Sequence, residues 1–168
     1  RTPLQPAVIP PLPAATEMET YQEAMQTVQG KLCVLCTSGV EPSARQDAVM
    51  RLASAIYGGL PTSRLFVTVR EQQSLCYYCS SSFGFFGGTL TIDSGVDHSK
   101  ADKAAHAILD EMQRMQREGV QTEELVAAQR YLRSAFSSAK DSPDALMNWA
   151  FVEWLKGTNR SLDEMLRE

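Results

Sequence analysis

Every strand-like stretch of this chain precedes residue 97, and from Ser99 onward only helical periodicity remains. This segregation narrows the folds open to the chain. Strands followed by a run of helices suit an α+β layer, not alternating βαβ units. The expected fold is an antiparallel sheet with helices packed on one face.

The first strand-like stretch, Gly30 to Ser38, is apolar at successive positions and ends at Gly39. Such a run suits an inner strand covered on both faces better than an edge strand. Two more strands are expected from Leu75 to Phe83 and from Thr89 to Val96, where Leu90 and Ile92 alternate with Thr89, Thr91 and Asp93. The glycine-rich Phe83 to Gly88 between them reads as the turn of an antiparallel pair.

A helix is expected after the first strand, opened by a capping box of Ser43 with Gln46, striped by Val49, Leu52, Ala53 and Ile56, and stopped by Gly58-Gly59. Thr62 or Ser63 caps a second short helix running to Arg70. Three helices follow the strands. The first runs from a Ser99 cap to Gly119, with Ala101, Ala105, Ile108, Met112 and Met115 on one face. The second runs from a Thr122 cap to about Ala139 and buries Leu125, Ala128, Leu132 and Ala135. The third has Ser142 as cap, Pro143 at its first position, Gly157 beyond its end, and Met147, Ala150, Phe151 and Trp154 as its apolar face.

Arg1 to Ala15 holds five of the eight prolines and reads as a linker from a longer parent chain. A short helix is expected from Glu17 to Val28. Residues 16–168 then form a single α+β domain, cut in its C-terminal helix just after the Ser161/Glu164 capping box. At 168 residues and 43% hydrophobic content, one such domain buries a core without disulfides. A net charge of −4 argues against nucleic acid or an anionic membrane as the main partner. Four cysteines without a disulfide scaffold point to a cytoplasmic protein with reduced thiols.

The middle of the chain carries a more specific signature. Tyr57-Gly58-Gly59-Leu60-Pro61-Thr62-Ser63-Arg64-Leu65-Phe66 is a glycine-rich loop followed by Ser-Arg-Leu-Phe, and Arg70-Glu71-Gln72-Gln73-Ser74-Leu75-Cys76-Tyr77 follows it. Together they resemble the C-terminal, zinc-free domain of the pitrilysin/insulinase zinc peptidases, over roughly Gly30 to Ser137. Ser74 stands where that pattern has glycine and Cys76 where it has alanine. The resemblance implies paired α+β halves that enclose a chamber for unfolded peptide. It also implies an Arg and a Tyr, here Arg70 and Tyr77, that hold substrate across the chamber. An Arg fork and a phenol hydroxyl can both donate to a peptide carbonyl. The structural reading of the same residues is a helix-end Arg paired with Glu71 and a half-buried strand tyrosine.

A zinc peptidase of this class needs two His one helical turn apart and a Glu base. His98 and His106 are eight residues apart, with no Glu at that spacing. No metal site or catalytic residue is therefore expected here, and zinc is left to another domain or subunit. The pairs Cys33/Cys36 and Cys76/Cys79 suggest a zinc ribbon, but i and i+3 on a strand point to opposite faces. Small buried hydrophobes are the reading their neighbours favour. A redox Cys-x-x-Cys normally opens a helix, and no Gly-x-Ser-x-Gly turn supports serine catalysis.

The expected function is a non-catalytic, substrate-holding half of an insulinase-like metallopeptidase. Its expected partners are a peptide or unfolded polypeptide and a zinc-bearing domain of the same chain or of a partner subunit. The alternative is a purely structural or interaction domain of an inactive homologue.

Overall fold

A computed structural model describes residues 10–165 and 167. Its frame is a three-stranded antiparallel sheet of β1 (Gly30–Thr37), β2 (Cys76–Gly84) and β3 (Thr89–Val96) in the order β1-β3-β2. The α+β class and the antiparallel β2–β3 pair match the expectation. The position of β1 does not, because it pairs only with β3 and lies at an edge. Leu32, Val34 and Cys36 turn inward while Lys31, Cys33 and Leu35 are more exposed. The apolar run is longer than its burial because no helix among the described residues covers the outer face of the sheet.

The helices lie on the inner face. α1 (Ala44–Ser54) starts at the expected capping box, with Ser43 N–H donating to Gln46 Oε1 at 2.8 Å and Gln46 N–H to Ser43 Oγ at 3.3 Å. It widens into a π turn, Ala55–Gly59, and stops there. Gly58 is required by proximity, since a Cβ there would sit 2.6 Å from the backbone nitrogen of Ser81 in β2. Leu52 and Ile56 face the interior, whereas Val49 is 55% exposed and Asp47 is buried in its stead.

The main core forms where Ile92 and Val96 of β3 meet Ala104 and Ile108 of α2 (Ala101–Glu118), with Leu65 and Val69 beside them. Each fully buried aliphatic side chain contributes about 1.5–3 kcal/mol. Tyr57 reaches this core and donates its hydroxyl to Ile108 O at 2.7 Å. The cap of α2 lies earlier than expected. Asp97 Oδ1 accepts from Ser99 N–H at 2.9 Å, and a 3-10 turn, His98–Lys100, precedes the α-helix. Gln121, not Thr122, caps α3 (Thr122–Ala139), with Glu124 completing the box. Of the expected α3 face only Ala128 is fully buried, and Leu125 and Ala135 are exposed.

α4 (Pro143–Leu155) has its predicted Ser142 cap and Pro143 start. Its apolar face is turned the other way: Met147, Ala150, Phe151 and Trp154 are exposed and Glu153 is buried. Charge decides the orientation, because Lys156 and Arg160, both paired with Glu153, reach the buried Asp47 of α1. α5 (Leu162–Met165) begins at the Ser161/Glu164 box.

No helix forms over Glu17–Val28, where Met18, Tyr21, Met25 and Val28 are exposed. Thr20, Tyr21 and Thr27 are poor helix formers, and a helix this short needs a buried face to persist. Residues 1–9 of the proline-rich stretch lie outside the described residues. The remainder is pinned to the end of the sheet, with Leu12 N–H donating to Gly87 O and Thr37 Oγ1 to Pro13 O. Among the described residues no helix is long and apolar enough to cross a membrane.

Candidate functional site

The block that carries the sequence signature folds into a tight reversal. A π-helix, Phe66–Gln72, ends in Gln73, whose N–H donates to Thr68 O at 3.2 Å. Ser74 then adopts φ 51°, a left-handed conformation that turns the chain into β2. Lys100 Nζ donates to Ser74 O at 3.0 Å and ties this reversal to the turn before α2. The result is an open recess of about 420 Å³, with Arg70, Tyr77, Cys76, Asp97 and Lys100 among its walls.

Arg70 and Tyr77 line this same recess. The Arg70 guanidinium lies over the Phe66 ring at 4.6 Å from its centroid, and its Nε is 3.7 Å from Glu71 Oε1. That contact with Glu71 is loose, and the arginine side chain remains 40% exposed. Tyr77 is 58% exposed, and its hydroxyl has no protein partner among the described residues.

A β-bulge aims Tyr77. Cys76 pairs with Val96 and Tyr78 with Gly95, which leaves Tyr77 as the extra residue in β2. A bulge inserts one residue and re-aims side chains locally, so Tyr77 and Tyr78 both reach the open side of the sheet. Tyr78 lies across Gly95, where a Cβ would meet its ring at 2.5 Å. The bulge also changes the phase of the two flanking cysteines. Cys76 and Cys79 oppose Val96 and Ser94, two residues apart on β3, and so share the inner face. The expectation that i and i+3 diverge fails for this pair for that reason. It holds for Cys33 and Cys36 on unbulged β1, the first exposed and the second packed inward. Gly95, a glycine inside a strand, is a sequence signal for the close approach of the Tyr78 ring, though not for the bulge in β2 itself.

Burial pushes the Cys79 thiol up to about 12, and the neighbouring Cys76 adds to the shift. Burial also raises Cys76, against smaller opposing effects of Ser94, Cys79 and the nearby Arg70 charge. The histidines do not come together. His98 Nε2 is 3.4 Å from Thr27 O, and His106 Nδ1 is 2.7 Å from Asp102 O on the exposed side of α2. No group of three or more His, Cys, Asp or Glu side chains among the described residues could hold a metal ion. The donor set therefore does not fit a zinc centre.

A family model described as the peptidase M16 inactive domain matches residues 3–132. The chain belongs to that family. This M16 inactive domain is 24% identical over 125 residues to the probable inactive metalloprotease YmfF of Bacillus subtilis, covering 74% of the chain and 29% of the relative. It is 26% identical over 153 residues to the uncharacterized zinc protease YmxG of the same organism, covering 89% of the chain and 37% of the relative. It thus spans about a third of the length of these two relatives. Among solved structures, a conserved protein from Enterococcus faecalis superposes with TM-score 0.78 at 22% identity, over 96% of this chain and 41% of that one. A peptidase M16 inactive domain from Pseudomonas fluorescens gives 0.60 at 18% identity, over 83% and 37%. The M16 fold and the zinc-peptidase-like family expected from the sequence are therefore shown.

Proposed function

We propose that this M16 inactive domain forms a wall of a peptide chamber and holds polypeptide while a zinc-bearing domain, in the same chain or a partner subunit, cuts it. The observation that carries this reading is the recess shared by Arg70 and Tyr77, at one end of a sheet face that no helix among the described residues covers. That face presents small polar side chains, with Ser80, Ser82 and Thr91 beside the two tyrosines. An extended peptide lying there meets hydroxyl groups and, at the recess, guanidinium and phenol donors suited to its carbonyls.

The test is cleavage of an unstructured peptide by the native assembly that contains this domain. Arg70→Ala should lower kcat/KM about 10–100-fold and Tyr77→Phe about 2–10-fold, the range for charged and neutral hydrogen bonds. Unchanged kinetics in both variants would overturn the holding role. They would favour the purely structural reading, whose own support is the exposed apolar face of α4, with Phe151 and Trp154 stacked 6.1 Å apart.

A further inference from the structure

Four cysteines serve no purpose in the holding role, and two of them are placed unlike the others. The bulge at Tyr77 leaves Cys76 and Cys79 opposite Val96 and Ser94, so their side chains emerge on one face. A disulfide needs both Cβ atoms on one side and closed to about 3.5–4.5 Å, and of the two pairs only the bulged one meets the first condition. Each thiol perturbs the other, and Ser94 lies beside both. Cys76 opens on the recess, whereas Cys79 is 6% exposed behind it. Cys33 and Cys36, at the same spacing on β1, lie on opposite faces and serve as an internal control.

We propose that Cys76 and Cys79 form a reversible dithiol–disulfide pair, oxidised by a small disulfide entering the recess, and that the closed form pins the bulge carrying Tyr77. Cys76 loses its proton to solvent and its thiolate attacks the small disulfide, expelling one small thiolate and leaving a mixed disulfide. Cys79 then gives up its proton and attacks the Cys76 sulfur, expelling the second small thiolate. In sum, two protein thiols and one small disulfide become one protein disulfide and two small thiols. A small dithiol reverses the reaction. Burial holds both thiols in the protonated form, so closure is slow near neutral pH and quickens as pH rises.

The probe is glutathione disulfide, incubated with the native protein, followed by alkylation, trypsin and mass spectrometry. The tryptic peptide from Glu71 to Lys100 contains Cys76 and Cys79 and no other cysteine. In the wild type this peptide should lose two hydrogen atoms, and reduction should restore them. Cys79→Ser should stop at a glutathione adduct on Cys76, Cys76→Ser should give neither product, and Cys33→Ser should behave as wild type. Cys79→Ala repeats the Cys79→Ser arm with an apolar residue should the serine variant fail to fold. Amide exchange at Tyr77 and Tyr78 should slow several-fold in the oxidised protein. A persistent adduct in the wild type, or a Cys76 that reacts only in urea, would overturn the pair. Unchanged exchange at the two tyrosines would overturn the pinning.

Discussion

Lys156 Nζ donates to Asp47 Oδ2 across 2.8 Å, and neither side chain is exposed. The same carboxylate takes Arg160 Nη2 at 2.9 Å on Oδ2 and Arg51 Nε at 2.9 Å on Oδ1. Lys156 also donates to Glu153 at 3.1 Å and lies 4.4 Å from the Phe85 ring centroid. The network joins the first turn of α1 to the end of α4 and the β2–β3 turn.

Removing one member strands the others without their counter-charge. Asp47→Ala should therefore cost about 3–5 kcal/mol, the usual penalty for breaking a buried pair, read from urea unfolding. Glu118→Ala removes an ion pair with Arg114 that is about half exposed on both sides. That change should stay within about 0.5 kcal/mol. Equal losses in the two variants would contradict the burial of the network.

Glu153 makes this network sensitive to acid. Burial alone would raise its carboxyl, but hydrogen bonds from Arg160, Thr158 and Lys156 outweigh it and hold the group near 2, below its ordinary 4.5. A carboxylate depressed in the folded state stabilises it above the unfolded pKa. That contribution, of order 3 kcal/mol, is lost as pH falls from about 4.5 through 2. Urea midpoints measured down this window should drop steeply in the wild type and more shallowly in Glu153→Gln. Glu111, raised mainly by burial, acts with the opposite sign.

These charges also mark where sequence reasoning stopped. Periodicity identified the α4 face of Met147, Phe151 and Trp154 correctly as one face, but period says only which residues lie together. Which side meets a neighbour was decided by Asp47, 109 residues away from Lys156. Local signals fared better. The Ser43/Gln46 and Ser161/Glu164 boxes, the Pro143 start and the limits of β3 are all where short-range chemistry placed them. Arg70 and Tyr77 were singled out by the family resemblance alone, and the structure places both on one recess. The bulge that aims Tyr77 was not legible, because it depends on the register of β2 against β3.

Two adjacent glycines at the end of α1 should behave differently. A Cβ on Gly58 meets the backbone of Ser81 at 2.6 Å, and a strand backbone cannot yield by moving one torsion. Gly58→Ala should cost about 1–3 kcal/mol as an overpacked contact. A Cβ on Gly59 finds nothing nearer than 3.4 Å. Its alanine variant should be neutral or stabilise by up to about 1 kcal/mol, because alanine loses less chain entropy in a helical turn. Thermal unfolding of the two variants checks the contrast.

The last prediction concerns Ser74, where serine stands in place of the glycine of the resembled pattern. Its φ of 51° is left-handed, a region that costs a residue with a Cβ about 1–2 kcal/mol. Glycine would escape that cost but lose more chain entropy on folding, about 0.5–1 kcal/mol relative to alanine. The difference favours Ser74→Gly by roughly 0.5–1 kcal/mol. The Lys100 contact is to the Ser74 carbonyl, so the substitution preserves it. A gain in urea midpoint for Ser74→Gly, beside a loss for Ser74→Val, would show that the reversal between Arg70 and Tyr77 is held under strain. A loss in the glycine variant would mean instead that the serine side chain itself stabilises the turn.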